Sequence, residues 1–289
     1  MSVPVIGVIG GSGLYQLEGL QDIEEVRLQT PFGEPSDAYI TGTLGEVKLV
    51  FLPRHGRAHS YLPSEVPYRA NIYGMKMLGV ERIISISAVG SMKEEIVPGH
   101  IVLPDQFIDR TSGKRENTFF GGGIVGHVQF ANPVCNELCN SLTVAAKQAG
   151  ATLHKGGTYI CIEGPTFSTR AESNLYRSWG VDVIGMTNLP EARLAREAEI
   201  CYATVALATD YDCWNQAHDD VSVEAVIAVM RANIEMAKKI IAATAREISA
   251  SRSCSCSQAA QHCVMTDPAQ LNHATREKLD LIIGKYFKG

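Results

Sequence analysis

Short apolar, largely β-branched runs recur along the chain at residues 5–9, 47–52, 83–89, 101–103, 158–162, 181–184 and 202–208. Several are apolar at consecutive positions and do not alternate with polar residues, a pattern that suits strands covered on both faces. Many are separated by stretches with helical spacing, at 66–78, 133–149, 170–179 and 191–198. Strand and helix in alternation predict an α/β fold around a central, largely parallel or mixed sheet.

The strongest helical signal is the series Val223, Val226, Ile227, Met230, Ile234, Ala237, Ile240 and Ile241, which forms one apolar face, with Ser222 in the cap position. A small-residue stretch at 249–257 follows, and a last helix is expected from Asp267-Pro268 through Leu271, Leu279, Ile282 and Ile283. At roughly 150 residues per domain, 289 residues would divide into two. The stretch after the linker is only about 35 residues long, too few to enclose a second core. One domain over 1–289 is therefore expected, with a core at about 3–250 and a C-terminal linker and helix at 251–289.

Lys+Arg at 26 against Asp+Glu at 31 gives a formal charge of -5. That balance lacks the basic footprint of a nucleic-acid or anionic-membrane partner. No apolar run reaches the about 18 residues that span a bilayer. The first residues lack the basic segment and cleavage site of a secretory signal, so a cytoplasmic location is expected. The eight cysteines include no Cys-x-x-Cys pair, so no structural zinc is expected. Cys254-Ser-Cys256, near Cys263, reads either as a disulfide device or as free thiols.

The chemistry-bearing residues fall where strands end. Gly10-Gly11-Ser12-Gly13 follows the first run. Its glycines allow positive φ and close approach of backbone N–H groups to an anion, or simply a tight turn. It is neither a dinucleotide fingerprint nor a P-loop, because no third glycine and no Gly-Lys-Ser/Thr follows. Arg54-His55 follows the second run and offers a guanidinium fork and a ring donor to phosphate, or ordinary surface charge. Ser87 and Ala88, then Met186 and Thr187, end two further runs. Phe167 and Ser168 sit on a Gly-Pro loop where an aromatic ring can stack on a base. Asp210 and Asp212 close the last run, and two carboxyls at that spacing on an extended segment point the same way. Mutual repulsion would then raise one pKa enough for proton donation.

Taken together, Ile9-Gly-Gly-Ser-Gly-Leu14, Thr30-Pro-Phe-Gly-Glu-Pro-Ser36, Arg54-His-Gly-Arg57, Ile162-Glu-Gly-Pro165 and Thr209-Asp-Tyr-Asp-Cys-Trp214 resemble the motifs of the trimeric purine nucleoside phosphorylases, in order, from Ile6 to about Ala237. The resemblance implies a single-domain three-layer αβα fold with a mixed, mostly parallel twisted sheet. It places phosphate on Ser12, Arg54, His55, Ser87 and Thr187, ribose beside Met186, and the base against Ala88, Phe167, Ser168, Asp210 and Asp212. An apolar 5'-methylthio pocket would take Val223, Val226 and Ile227 from the same chain and His127 from a neighbour. That sharing implies a homotrimer, or a hexamer of two trimers. Many relatives carry Thr where this chain has Ser12 and Ser87, which keeps the hydroxyl and loses a methyl.

The implied reaction is phosphorolysis of S-methyl-5'-thioadenosine, with inorganic phosphate as co-substrate and neither metal nor organic cofactor. Asp210 would protonate N7 of the leaving purine while Asp212 holds the exocyclic group. Relatives that prefer 6-oxopurines carry Asn in place of Asp210, so an inosine, guanosine or methylthioinosine phosphorylase is the alternative. A nucleotide-binding module without turnover would have no use for the paired aspartates.

Overall fold

The computed structural model describes residues 3–215, 223–267, 270 and 273–287; the side chains of residues 223–226 and 228 are not among those described. Ser222, Pro268 and Leu271 therefore lie outside the described residues. In chain order the strands are β1 (Val5–Gly10), β2 (Gln21–Val26), β3 (Tyr39–Leu44), β4 (Val47–Pro53), β5 (Arg82–Ser91), β6 (Ile101–Leu103), β7 (Gln106–Arg110), β8 (Leu153–Lys155), β9 (Thr158–Ile162), β10 (Val183–Gly185) and β11 (Cys201–Asp210). The helices are α1 (Tyr68–Met77), α2 (Asn136–Gln148), α3 (Arg170–Ser178), α4 (Asn188–Glu197), α5 (Val223–Glu247) and α6 (His273–Ile283).

These strands form one mixed sheet whose centre is parallel, with β4, β1, β5 and β11 side by side. Each of the seven apolar runs contributes to a strand of it, the run at 181–184 only from Val183. All of β11 but Asp210 is buried, as continuous apolar patterning requires. Strand residues alternate between two cores. Ile83, Val89, Tyr202 and Ala206 pack with α1, α4 and α6, whereas Ile84, Ile86, Ala203 and Val205 pack with α2 and α5. That is the three-layer αβα arrangement. The sheet also contains β2, β3, β7 and β8, which the periodicity does not reveal. Polar β2 is exposed along nearly its whole length and lies at the sheet edge, so it carries no apolar signal.

The pairing of β5 creates the functional cleft. One edge of β5 is held by β11 from Arg82 to Gly90. The other edge is shared: β1 takes Arg82–Ser85 and β10 takes Gly90–Ser91 in the antiparallel sense. Residues 86–89 have no strand on that side. The sheet opens there, at the C-terminal ends of β1, β4 and β11, where ligands collect in open α/β sheets.

Candidate active site

A cavity of ≈ 620 Å³ fills this opening, and eleven of the expected site residues line it: Ser12, Arg54, His55, Ser87, Ala88, Phe167, Ser168, Met186, Thr187, Asp210 and Asp212. They come from segments widely separated in the chain. The volume is within the range of pockets that enclose small molecules.

The lining includes Gly11, Ser12, Arg54, His55, Ser87 and Thr187. The glycines after β1 serve close approach and not the positive φ expected of them, since none of Gly10, Gly11 and Gly13 has a positive φ. A Cβ on Gly10 would meet Leu14 Cδ1 at 2.5 Å, whereas one on Gly11 would meet nothing within 4 Å. Gly11 therefore leaves its backbone open to the cavity. The Ser87 hydroxyl stands 3.2 Å from the Tyr159 hydroxyl and 3.4 Å from Thr187 Oγ1, which makes a compact set of O–H groups.

Arg54 is nearly fully buried, and most of its donors are committed to protein. Nε and Nη2 donate to Glu191 at 2.7 and 3.0 Å, Nη2 also to Ser85 Oγ at 2.7 Å, and Nη1 to the Ile86 carbonyl at 3.1 Å. One Nη1 N–H remains. Burial pushes the guanidinium pKa down, but Glu191 outweighs it and holds the pKa above the ordinary value. Glu191, which carries no sequence signal of its own, receives Ser85 and Tyr202 hydroxyls as well.

His55 behaves differently from the ring donor expected. Its Nδ1 lies 2.8 Å from the Tyr61 carbonyl, an acceptor only, so Nδ1 carries the proton. Burial lowers its pKa to about 4, which leaves the ring neutral with Nε2 as an acceptor.

Phe167, Ser168, Asp210 and Asp212 also line the cavity. Phe167 is 44% exposed, its ring free to cover a flat ligand. Ser168 Oγ is shielded from solvent and lacks a hydrogen-bond partner. Asp210 ends β11 opposite Gly90, with Thr209 Oγ1 donating to Oδ2 at 2.7 Å and the Asp212 N–H donating to Oδ1 at 2.8 Å. Asp212 is in the left-handed region at φ 51, so the pair is built on a turn and not on the extended segment expected. Both pKa values are raised, but burial is the leading cause, and for Asp212 the charge of Asp210 adds only a smaller push. Desolvation, more than mutual repulsion, favours the protonated carboxyl.

Three further features escape sequence reasoning. Buried Arg115 donates to the carbonyls of Met186 at 2.6 Å, Leu189 at 2.8 Å and Glu163 at 2.7 Å, so it ties together the loops after β9 and β10. Met230 and Ile234 of α5 line the cavity. The expected Ile227 is 50% exposed and absent from the lining, and the side chains of Val223 and Val226 lie outside the described residues. His127 is exposed, is not among the lining residues, and its backbone N–H donates to the Cys263 carbonyl at 2.8 Å. Among the described residues, the one cluster of metal-ligating side chains lies elsewhere, around Cys201 at the far end of β11.

Residues 5–246 match the model of the phosphorylase superfamily. S-methyl-5'-thioadenosine phosphorylase of Geobacter sulfurreducens is 66% identical over 98% of this chain and 99% of its own length. A methylthioadenosine phosphorylase from an antarctic soil metagenomic library has a crystal structure that superposes with a TM-score of 0.92 at 45% identity, covering 97% of this chain and 99% of that one. The methylthioadenosine phosphorylase of Schistosoma mansoni in complex with adenine gives 0.81 at 36% identity, over 86% of this chain and 93% of that one.

Proposed function

Given that the chain belongs to the phosphorylase superfamily, we propose that it catalyses the phosphorolysis of S-methyl-5'-thioadenosine by inorganic phosphate, releasing adenine and 5-methylthioribose 1-phosphate. It is a pentosyltransferase of the purine nucleoside phosphorylase type. The observation that carries the reading is that one cavity is lined both by hydroxyls and Arg54 and by Phe167 with the carboxyls of Asp210 and Asp212.

In this reading phosphate occupies the end formed by Ser12, Ser87, Thr187 and the remaining N–H of Arg54. The neutral His55 Nε2 accepts a hydrogen bond from the hydroxyl of monohydrogen phosphate. Convergent donors position the anion against C1' of the ribose, which acquires positive charge as the glycosidic bond opens. Met186, held by Arg115, lies beside the sugar. Asp210, whose carboxyl pKa is raised by burial, donates in its protonated form to N7 of the departing adenine, a step typically worth about 10²–10⁴-fold. Asp212 accepts from the exocyclic amine. The reaction balances with phosphate as the only co-substrate and calls for no metal or organic cofactor.

The exposure of His127 and its absence from its own chain's cavity support its reaching a neighbour's cavity in a trimer. A cytoplasmic setting agrees with this substrate, and no helix among the described residues is long and apolar enough to cross a membrane.

The test compares methylthioadenosine, adenosine, inosine and methylthioinosine with and without phosphate. Adenine should appear only with phosphate, and methylthioadenosine should have the highest kcat/KM. A higher value for either 6-oxopurine nucleoside would overturn the substrate assignment, and phosphate-independent release would overturn the reaction.

A further inference from the structure

The eight cysteines are not scattered evenly through the fold. The Sγ atoms of Cys135, Cys201, Cys254 and Cys256 all lie within 4.8 Å of one another. They converge from three separate segments: the residue capping the start of α2, the first residue of β11, and the loop after α5. Cys201 Sγ and Cys254 Sγ are 3.4 Å apart, far from bonding distance. Tetrahedral coordination with zinc–sulfur bonds of about 2.3 Å puts sulfurs about 3.8 Å apart, and the observed group is of that size.

The surroundings hold the loop in place on that group. Arg82 Nη2 donates to the carbonyls of Ser249 and Ser251, both at 3.0 Å. The Ser253 N–H and hydroxyl donate to Glu137 at 2.8 and 2.6 Å, two residues beyond Cys135. Arg252 Nη1 donates to the Glu199 carbonyl at 3.0 Å, two residues before Cys201. These bonds fix the segment immediately preceding Cys254 to the same two elements that carry Cys135 and Cys201. Such supporting contacts orient ligands before a metal arrives.

Charge points the same way. One divalent ion bound by four thiolates releases four protons and leaves a net charge of -2 on the group. Arg82 stands directly across the β5–β11 ladder from Cys201, is 2% exposed, and its Nη1 has no hydrogen-bond partner beyond a 3.5 Å approach to Glu81. Cys254 is only half-buried, which provides a route in, while the other three thiols are buried. Cys263, expected near this group from its sequence position, belongs to the core on the other face of the sheet.

We propose that Cys135, Cys201, Cys254 and Cys256 form a tetrathiolate site for one zinc-class divalent ion, which fastens the C-terminal segment to the start of β11 and α2. Four protein ligands close the coordination sphere, so the site is structural and leaves no position for substrate. The absence of Cys-x-x-Cys hid it, because only Cys254 and Cys256 are neighbours in the chain and the fold brings Cys135 and Cys201 to them.

The test uses the full chain purified without chelator, analysed for metal by mass spectrometry and titrated with Co²⁺. About one zinc per chain is expected, together with thiolate-to-cobalt charge transfer and the intense visible bands of tetrahedral cobalt. Cys254→Ser and Cys256→Ser should each lower bound metal at least tenfold, whereas Cys263→Ser should retain it. Wild-type protein that is folded but takes up neither zinc nor cobalt would overturn the proposal. So would iron in place of zinc, or fewer than eight titratable thiols in the denatured, metal-stripped chain without reductant.

Discussion

Arg54 and Glu191 meet fork to fork in the interior, Nε to Oε2 at 2.7 Å and Nη2 to Oε1 at 3.0 Å, although 137 residues separate them in the chain. The pair orients the one N–H of Arg54 that the protein leaves uncommitted and joins α4 to the end of β4. Removing one partner of such a pair strands a buried charge, which typically costs about 3–5 kcal/mol. Glu191→Gln should therefore lower the free energy of unfolding by about 2–4 kcal/mol, the amide keeping part of the hydrogen bonding. It should also raise KM for phosphate at least about tenfold, with a smaller effect on KM for the nucleoside. Urea unfolding and kinetics at varied phosphate check both, and an unchanged phosphate KM would remove Arg54 from the anion site.

In the proposed reaction base choice rests on Asp210. A carboxyl can accept from the 6-amino group of adenine and, when protonated, donate to N7, whereas an amide donates well to a 6-oxo group. Asp210→Asn should reduce kcat/KM for methylthioadenosine by about 10²-fold or more and raise the relative activity on inosine or methylthioinosine. Measuring both substrates on both proteins gives the ratio directly, and an unchanged ratio would sink the assignment.

How much of this was legible in the sequence follows from where each contact originates. Ser12, Arg54, Ser87 and Asp210 each follow or end a continuous apolar run, and parallel strands bring such ends together, so their meeting could be anticipated. Glu191 and Arg115 could not be, because one is on a helix and the other in a loop, and only the folded chain shows what they face. On α5 the expected apolar face is buried at Ala237, Ile240 and Ile241 but half exposed at Ile227, and periodicity repeats every turn and cannot say which turn borders the cavity. Hence Met230 and Ile234 line the cavity, while Ile227 does not. Buried β3 escaped because Thr41, Gly42 and Thr43 interrupt its apolar pattern.

His55 supplies a pH dependence of defined sign. Burial lowers its folded pKa to about 4 from the ordinary 6.5. Between these values the unfolded chain binds a proton that the folded chain does not, so stability is lost as pH falls through this window. Wild type should lose more unfolding free energy between pH 7.5 and 5 than His55→Gln does. The expected difference is on the order of 1 kcal/mol, after allowance for solvent around a half-buried ring. Urea titrations at the two pH values decide it, and equal losses would place the proton on the folded ring.

Selectivity at the 5' position is expected to depend on Met230, which is half-buried and lines the cavity from α5. A thioether beside a methylthio group makes apolar contact that the hydroxyl of adenosine cannot repay, and one such contact is typically worth about 1–3 kcal/mol. Met230→Ser removes most of that contact while leaving the helix backbone free to form. Methylthioadenosine kcat/KM should fall by about 10-fold or more, and adenosine should change by much less, so that the two substrates converge. The loss should appear in KM more than in kcat, because the contact is made equally before and during bond breaking. If both substrates lost activity in equal proportion, Met230 would be supporting the cavity wall and another residue would be reading the 5' group.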